Sequence, residues 1–237
     1  ERIADLCVNE SPKRDVWNDL RSGRISRDRL IEGLRRVELT ERGVYECALL
    51  LRARFEATAD VVLVDKTPQN LYHVDTLLSW FPAAKVIHML RDPRAVLASA
   101  WTRRMKEYPN RVYFSIPFPR PVYSVLIVFH VSLTWLYAVV LDSRYRRKYS
   151  DNYVLVKFEE IVADSESAIR NLTDSLDVSY SSEMVAPPSI GSSFVADEAS
   201  GMNKCALDRW KAVLKPWMVL IVKAICGRSM KKFGYWP

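Results

Sequence analysis

The chain has 237 residues, of which 49% are hydrophobic and 27% are charged. These proportions are ordinary for a globular protein, and the length allows a sizeable core. The net charge is +7, but the basic residues are spread along the chain without a run of five or more. This distribution gives no indication of a nucleic-acid partner. No two of the four cysteines have CxxC spacing, which disfavours a zinc or redox motif. We therefore expect a single domain, residues 1–237, without a metal.

The N-terminal part of the chain predicts helices followed by a βαβ unit. Residues 1–58 are mostly polar, with apolar side chains at helical spacing. Residues 60–65 (Asp-Val-Val-Leu-Val-Asp) predict a buried strand, and Lys66 follows at its carboxyl end. A helix over 71–80 and a second strand over 85–90 complete the unit. This strand is mostly apolar, of the kind that is buried on both faces of a parallel sheet. An ammonium at such a strand end can stabilise negative charge that grows in a reaction. The alternative is that Lys66 is a solvated loop residue.

The stretch that follows the second strand predicts an anion site. Asp92 and Pro93 are typical of a helix start, because Asp caps free N–H groups and Pro suits the first helical position. Arg91 then stands at the carboxyl end of a strand, where open α/β sheets bind ligands. Ser99 and Arg103 lie four residues apart on the following helix. Guanidinium groups, a hydroxyl and a helix N-terminus together suit phosphate. The alternative is a surface ion pair of Arg91 and Asp92, with Ser99 only packing.

Two further segments connect this helix to the next strand. Residues 108–121 are aromatic and rich in proline, and such long loops are often functional. This loop is a candidate for contacting a substrate, and it could equally be a mere connection. Residues 122–141 form a mostly apolar run that is long enough to cross a bilayer. Its hydroxyl groups and His130 favour a buried helix instead, with Trp135 packed against the sheet.

The predicted strands define the fold class. The segments 60–65, 85–90 and 153–158 are short, apolar and separated by helices. They predict an α/β domain of three layers with a mainly parallel central sheet. A core of this size needs no disulfide, so we expect Cys205 and Cys226 to be free buried thiols.

The sequence Arg-Asp-Pro-Arg-Ala-Val-Leu-Ala-Ser at 91–99 resembles the 3′-phosphate-binding motif of the sulfotransferases that use 3′-phosphoadenylyl sulfate (PAPS). It most resembles the Golgi carbohydrate 6-O-sulfotransferases, and more distantly the tyrosylprotein sulfotransferases. The resemblance implies a P-loop-NTPase-like fold in which Arg91 and Ser99 hold the 3′-phosphate of the donor. Similarity to the tyrosylprotein branch adds Arg103 as a third contact. It also implies that Lys66 faces the transferring sulfonate.

Later segments of the chain also resemble the sulfotransferases. The third strand and the Glu-Glu-Ile-Val after it resemble the family's strand and Tyr-Glu-Asp-Leu segment. Phe158 stands in place of the Tyr, so any donor contact from that hydroxyl is lost. Residues 190–210 resemble the loop that closes over the donor, which implies contacts from Ser193 and Arg209. Residues 226–235 look very much like the carbohydrate-sulfotransferase C-terminus.

The main departure from the family lies near the N-terminus. Sulfotransferases hold the 5′-phosphosulfate of the donor with an Arg-Ser-Gly-Thr-Thr-like loop after a buried strand. Residues 21–23 are Arg-Ser-Gly, but polar residues precede them and Arg24-Ile25 replaces the threonine pair. We therefore expect the first strand and its 5′-phosphosulfate loop to be absent from this chain.

The resemblance implies sulfonate transfer from the co-substrate PAPS to a glycan hydroxyl (6-O-sulfation), with 3′-phosphoadenosine 5′-phosphate (PAP) as product and no metal. It also implies a glycan or glycoprotein acceptor and a Golgi location, with membrane attachment only through a segment outside this chain. Alternatives are a catalytically impaired relative that binds nucleotide or glycan, and a protein-tyrosine sulfotransferase. A P-loop kinase is disfavoured, since GxxxxGK[ST] does not occur in the sequence. The general base is not identified, although His73 and His88 are available.

Overall fold

The computed structural model describes residues 40, 42–43, 45, 64–107, 119–185 and 205–236. The chain divides into two compact units, residues 1–80 and 81–237. Nearly all of the predicted N-terminal helices, the Arg-Ser-Gly sequence at 21–23 and nearly all of the proline-rich loop lie outside the described residues. The single domain expected from the sequence stays a prediction.

Helices dominate the described ranges, and two short strands lie among them. In chain order the elements are a 3-10 helix (Pro68–His73), α1 (Val74–Trp80), β1 (Val86–Leu90), α2 (Pro93–Glu107), α3 (Arg120–Lys148), β2 (Tyr153–Lys157), α4 (Phe158–Ala163), α5 (Ser165–Ser175), a 3-10 helix (Ser182–Val185), α6 (Cys205–Asp208), α7 (Trp210–Val213) and α8 (Pro216–Phe233).

In the N-terminal unit, the carboxylate of Asp65 accepts three hydrogen bonds near the start of the first 3-10 helix. Its Oδ2 accepts hydrogen bonds from the Tyr45 hydroxyl at 2.6 Å and from Asn70 Nδ2 at 2.7 Å. Its Oδ1 accepts one from the Thr67 hydroxyl at 2.7 Å. Of the strand predicted at 60–65, the first four residues lie outside the described ranges. Val64 and Asp65 belong to no strand.

In the C-terminal unit, β1 and β2 pair in parallel, with Val86 opposite Tyr153 and Leu90 opposite Lys157. This pairing confirms the α/β class and the parallel relation of the second and third predicted strands. The expectation that β1 is buried on both faces is wrong, since Ile87 is 43% and Met89 53% exposed. Successive side chains of a strand point to opposite faces, so the buried His88 shares its face with Leu90 and not with these two.

The core of this unit lies between α2, α3 and α8. Leu97 of α2, Ile127 of α3 and Val222 of α8 have no exposed surface. The 29-residue helix α3 is long and apolar enough by composition to cross a membrane, but one side of it forms the centre of this core. Trp135 is buried as predicted. The other side of α3 exposes a row of large apolar side chains, so the prediction of a buried helix is correct for one side only: Val122, Val125, Phe129, Leu133, Tyr137 and Val140.

Cys226 lies on α8 within this core and is a free thiol, as predicted. Its Sγ lies 3.4 Å from the carbonyl oxygen of Ser132, and burial raises the pKa of the thiol to about 12. The side chain of Cys205 lies outside the described residues.

Because the thiolate is the reactive form, we expect Cys226 to resist iodoacetamide at pH 8 in the folded protein. It should be alkylated rapidly once urea unfolds the chain. Peptide mass spectrometry after timed alkylation measures this for Cys226 separately from the other cysteines. Equal labelling rates with and without urea would contradict the buried position.

Candidate functional site

The turn between β1 and α2 is built as the sequence predicts. Asp92 Oδ1 accepts a hydrogen bond from the Arg94 backbone N–H at 2.8 Å, and the Asp92 carbonyl accepts one from Val96 at 3.0 Å. Pro93 is the first residue of α2 and has no N–H to satisfy. The helix therefore starts two residues after Arg91, with its positive dipole end at the carboxyl edge of the sheet.

A buried ion pair fixes this turn to the C-terminal segment. Asp92 and Arg94 are each 7% exposed, and Arg94 Nη2 donates to Asp92 Oδ2 at 2.7 Å. The same nitrogen donates to the Tyr235 carbonyl at 2.7 Å. The guanidinium carbon lies 4.1 Å from the centroid of the Trp210 ring. Arg94 is thus fully engaged in holding structure and offers little to a ligand.

Glu159, which follows β2 on α4, makes a second set of bonds to the same turn. Its Oε1 accepts a hydrogen bond from the Asp92 backbone N–H at 3.0 Å, and its Oε2 accepts one from the Tyr235 hydroxyl at 2.9 Å. From α3, Trp135 Nε1 donates to the Arg91 carbonyl at 2.8 Å. Two separate elements, α3 and α4, therefore hold the backbone of Arg91 and Asp92 in place, and Tyr235 in turn holds Glu159.

The side chain of Arg91 is stacked and partly buried, and its buried Nε is unpaired among the described residues. Its guanidinium carbon lies 4.2 Å from the centroid of the Phe158 ring, and Nη2 donates to the Ala206 carbonyl at 2.8 Å. The buried Nε has no hydrogen-bond partner among the described residues. Burial lowers the pKa of Arg91, and the nearby Glu159 carboxylate opposes this shift. An arginine stays charged under such conditions, so the group presents a positive charge and a free donor.

Two of the other predicted contacts lie on α2. Ser99 is the seventh residue of this helix, about 9 Å along its axis from Pro93. Its side chain is partly buried, and its hydroxyl makes no hydrogen bond to the described residues. Arg103 follows one turn later on the same helix and is exposed.

The remaining predicted residues are placed differently. Arg209 lies just after α6, close enough to Arg91 that its charge acts with burial to lower the pKa of Arg91. The two guanidinium groups are therefore near enough to interact electrostatically. Ser193 lies outside the described residues. Lys66 is exposed in the N-terminal unit.

His88, one of the two candidate bases, is enclosed in the sheet. Its Nδ1 lies 2.7 Å from the Tyr153 hydroxyl and 3.6 Å from Asp142 Oδ1. Asp142 has no exposed surface and pairs with Arg146. Burial acts to raise the pKa of Asp142, but His88 and Arg146 outweigh it and the pKa is lowered. An imidazole held in this way ties β1 to α3 and β2, and is not exposed to an acceptor hydroxyl.

Comparison with known proteins identifies the family of this chain. The family model described as "Sulfotransferase family" matches residues 24–182. The chain belongs to the sulfotransferase family. No curated protein matches the sequence significantly. This match identifies the family as a whole and does not confirm the narrower resemblance to the Golgi carbohydrate 6-O-sulfotransferases.

Two solved sulfotransferase domains share the fold. The "Sulfotransferase Domain from the Curacin Biosynthetic Pathway" has a TM-score of 0.53 and 16% identity, covering 79% of this chain and 66% of that domain. The "Sulfotransferase Domain from the Synechococcus PCC 7002 Olefin Synthase" also has a TM-score of 0.53, with 19% identity, covering 77% of this chain and 63% of that domain. The chain thus spans less than two thirds of either domain, and the likeness concerns the fold.

Sulfotransferases generally use PAPS, and the residues around Arg91 fit one of its phosphate groups. Three groups from different elements offer donors and positive charge. They are the Arg91 Nε, which is unpaired among the described residues, the guanidinium of Arg209 and the start of α2. Such a combination is typical of phosphate sites. Within the described ranges, no group of three or more His, Cys, Asp or Glu side chains could hold a metal ion.

Sequence reasoning missed the residues that hold Arg91. In the sequence Phe158 indicates only the loss of a hydroxyl, yet its ring is the surface on which Arg91 stacks. Glu159 and Tyr235 lay in segments that resemble the family, but the resemblance gave them no role. Only the ion pair of Asp92 and Arg94 could have been predicted from nearby sequence, because the two residues have opposite charges and are two positions apart.

Proposed function

We propose that this sulfotransferase transfers a sulfonate group from PAPS to a glycan hydroxyl, at the 6-O position. The observation that carries the proposal is the Arg91 side chain. It stands at the carboxyl end of β1, stacks on Phe158 and keeps a buried Nε free of partners in the described residues. A buried unpaired donor on a charged group is costly, and a bound 3′-phosphate would satisfy it.

In this proposal, the residues of the chain bind and orient the donor. Arg91 binds the 3′-phosphate, the Ser99 hydroxyl donates to it, and Arg103, Ser193 and Arg209 add contacts. When bound, PAPS supplies the sulfonate. The acceptor oxygen bonds to sulfur, the bond from sulfur to the 5′-phosphate oxygen breaks, and the hydroxyl proton passes to a base. Lys66 would stabilise the negative charge that grows on the leaving phosphate.

The acceptor and the location follow from sequence resemblance. The motif at 91–99 and the tail at 226–235 are most similar to carbohydrate 6-O-sulfotransferases of the Golgi. A glycan or glycoprotein acceptor and a Golgi location are therefore part of the proposal. The tyrosylprotein sulfotransferases share the motif less closely, so protein tyrosine is the second acceptor to test.

The proposal predicts selective nucleotide binding. Calorimetric titration of the 237-residue chain should show tighter binding of PAP than of adenosine 5′-phosphate, by at least about tenfold, because a hydrogen bond to a charged group contributes about 1.5–3 kcal/mol. Transfer of radioactive sulfonate from PAPS to a sugar with a free 6-hydroxyl, but not to its 6-deoxy analogue, would support the glycan acceptor. Equal affinity for the two nucleotides would contradict the proposal. PAP binding without transfer to sugars or tyrosine peptides would favour a relative that only binds nucleotide.

A further inference from the structure

Glu159 lies beside Arg91 without forming the ion pair that this proximity favours. Arg91 stacks on Phe158, the residue before Glu159. Glu159 binds the backbone N–H of Asp92, the residue after Arg91, so the two groups are close. The charge of Glu159 also acts to raise the pKa of Arg91. The guanidinium nevertheless donates to the Ala206 carbonyl, and its Nε stays unpaired among the described residues. Carboxylate and guanidinium groups otherwise form strong and frequently bidentate pairs. Something must hold the carboxylate in another orientation.

The hydrogen bonds of Glu159 show what holds it. One carboxylate oxygen accepts from the Asp92 backbone N–H, and the other accepts from the Tyr235 hydroxyl. Burial and the Glu159 charge raise the pKa of Tyr235. Its hydroxyl therefore stays protonated and can donate throughout the physiological pH range. Each oxygen of Glu159 thus accepts from a donor other than Arg91, and the two bonds together fix the orientation of the carboxylate.

Tyr235 is itself held in place from several directions. Gly234 adopts the left-handed conformation with φ of 78°, and the Tyr235 N–H donates to the Met230 carbonyl at 2.8 Å. This Schellman turn reverses the chain after α8. The Tyr235 carbonyl accepts from Arg94, and its ring meets Trp135 edge-on at 6.4 Å between centroids. The tyrosine is 7% exposed, so its hydroxyl has a fixed position.

We propose that Tyr235 is a positioning residue that keeps Glu159 from capturing Arg91. By binding one carboxylate oxygen, its hydroxyl leaves the Arg91 guanidinium open to the 3′-phosphate. The inference rests on the proposed function, because the phosphate is the ligand for which Arg91 is kept open. Glu159 then offsets part of the positive charge of the site without blocking its donor.

The test is a double-mutant cycle read by titration with PAP and with adenosine 5′-phosphate. Tyr235→Phe keeps the ring and removes the hydroxyl, so Glu159 can turn to Arg91. We expect PAP affinity to fall about tenfold, as for the loss of one charge-assisted bond, with adenosine 5′-phosphate affinity nearly unchanged. Glu159→Gln should bind PAP at least as tightly as the wild type. In the Glu159→Gln background, Tyr235→Phe should have little further effect.

Tyr153→Phe is the matched control. It removes another buried tyrosine hydroxyl, bonded to His88 in the interior of the sheet, and should leave the affinity for both nucleotides unchanged. Circular dichroism and urea unfolding establish that each variant folds.

Two results would overturn the inference. If Tyr235→Phe lowers PAP affinity equally with and without Glu159→Gln, or if Glu159→Gln lowers it as much as Tyr235→Phe, the two residues only stabilise the turn. A wild-type protein without preference for the 3′-phosphate would instead overturn the proposed function, and this inference with it.

Discussion

Replacement of Arg91 by alanine is expected to weaken PAP binding about 10- to 100-fold, since losing a hydrogen bond to a charged group costs about 1.5–3 kcal/mol. Affinity for adenosine 5′-phosphate should barely change, because that nucleotide lacks the 3′-phosphate. The guanidinium stacks on Phe158 and its Nε has no partner among the described residues, so these contacts leave a donor of this side chain unused. Titration of both nucleotides against wild type and variant measures the selectivity directly.

Three further variants define what Arg91 contributes. Arg91→Lys should restore little, because a point charge cannot replace the planar fork of donors. Ser99→Ala should show the same selectivity with a smaller loss. Arg228→Ala removes an exposed arginine on α8 and should leave both affinities as they are. If Arg91→Ala weakens both nucleotides equally, the residue stabilises the turn and does not bind the 3′-phosphate.

Local patterns in the sequence predicted the start of this site well. An Asp followed by a Pro after a strand favours a helix start, since capping and a fixed φ are properties of the residues themselves. The positions of Arg91 after β1 and of Ser99 on α2 follow from that alone. The parallel pairing of β1 with β2 was likewise predictable from two apolar runs separated by helices.

The residues that hold the site were not predictable in this way. Glu159 reaches Asp92 across 67 positions and Arg94 reaches the Tyr235 carbonyl across 141. No periodicity or spacing encodes such contacts, which depend on how α4 and the segment after α8 fold back on the turn. For a related reason, the sequence did not predict which side of α3 faces the core. Apolar residues surround that helix, so composition alone did not distinguish the buried Val128 from the exposed Leu133.

Replacement of Arg94 by alanine should cause the largest loss of stability of any single change at this turn. The variant leaves the Asp92 carboxylate buried without its counter-charge and leaves the Tyr235 carbonyl without its donor. Removing one partner of a buried ion pair typically costs about 3–5 kcal/mol. That is a large share of the roughly 5–15 kcal/mol that separates folded from unfolded states in single domains.

Urea unfolding of wild type and Arg94→Ala, followed by circular dichroism, measures the difference in the free energy of unfolding. Arg103→Ala is the matched control on the same helix. Its side chain is exposed, so the change in stability should stay within about 0.5 kcal/mol. A loss below about 1 kcal/mol for Arg94→Ala would show that water reaches Asp92 when the arginine is gone. The turn would then be held mainly by the Glu159 carboxylate, and Arg94 would be free to vary without disturbing Arg91.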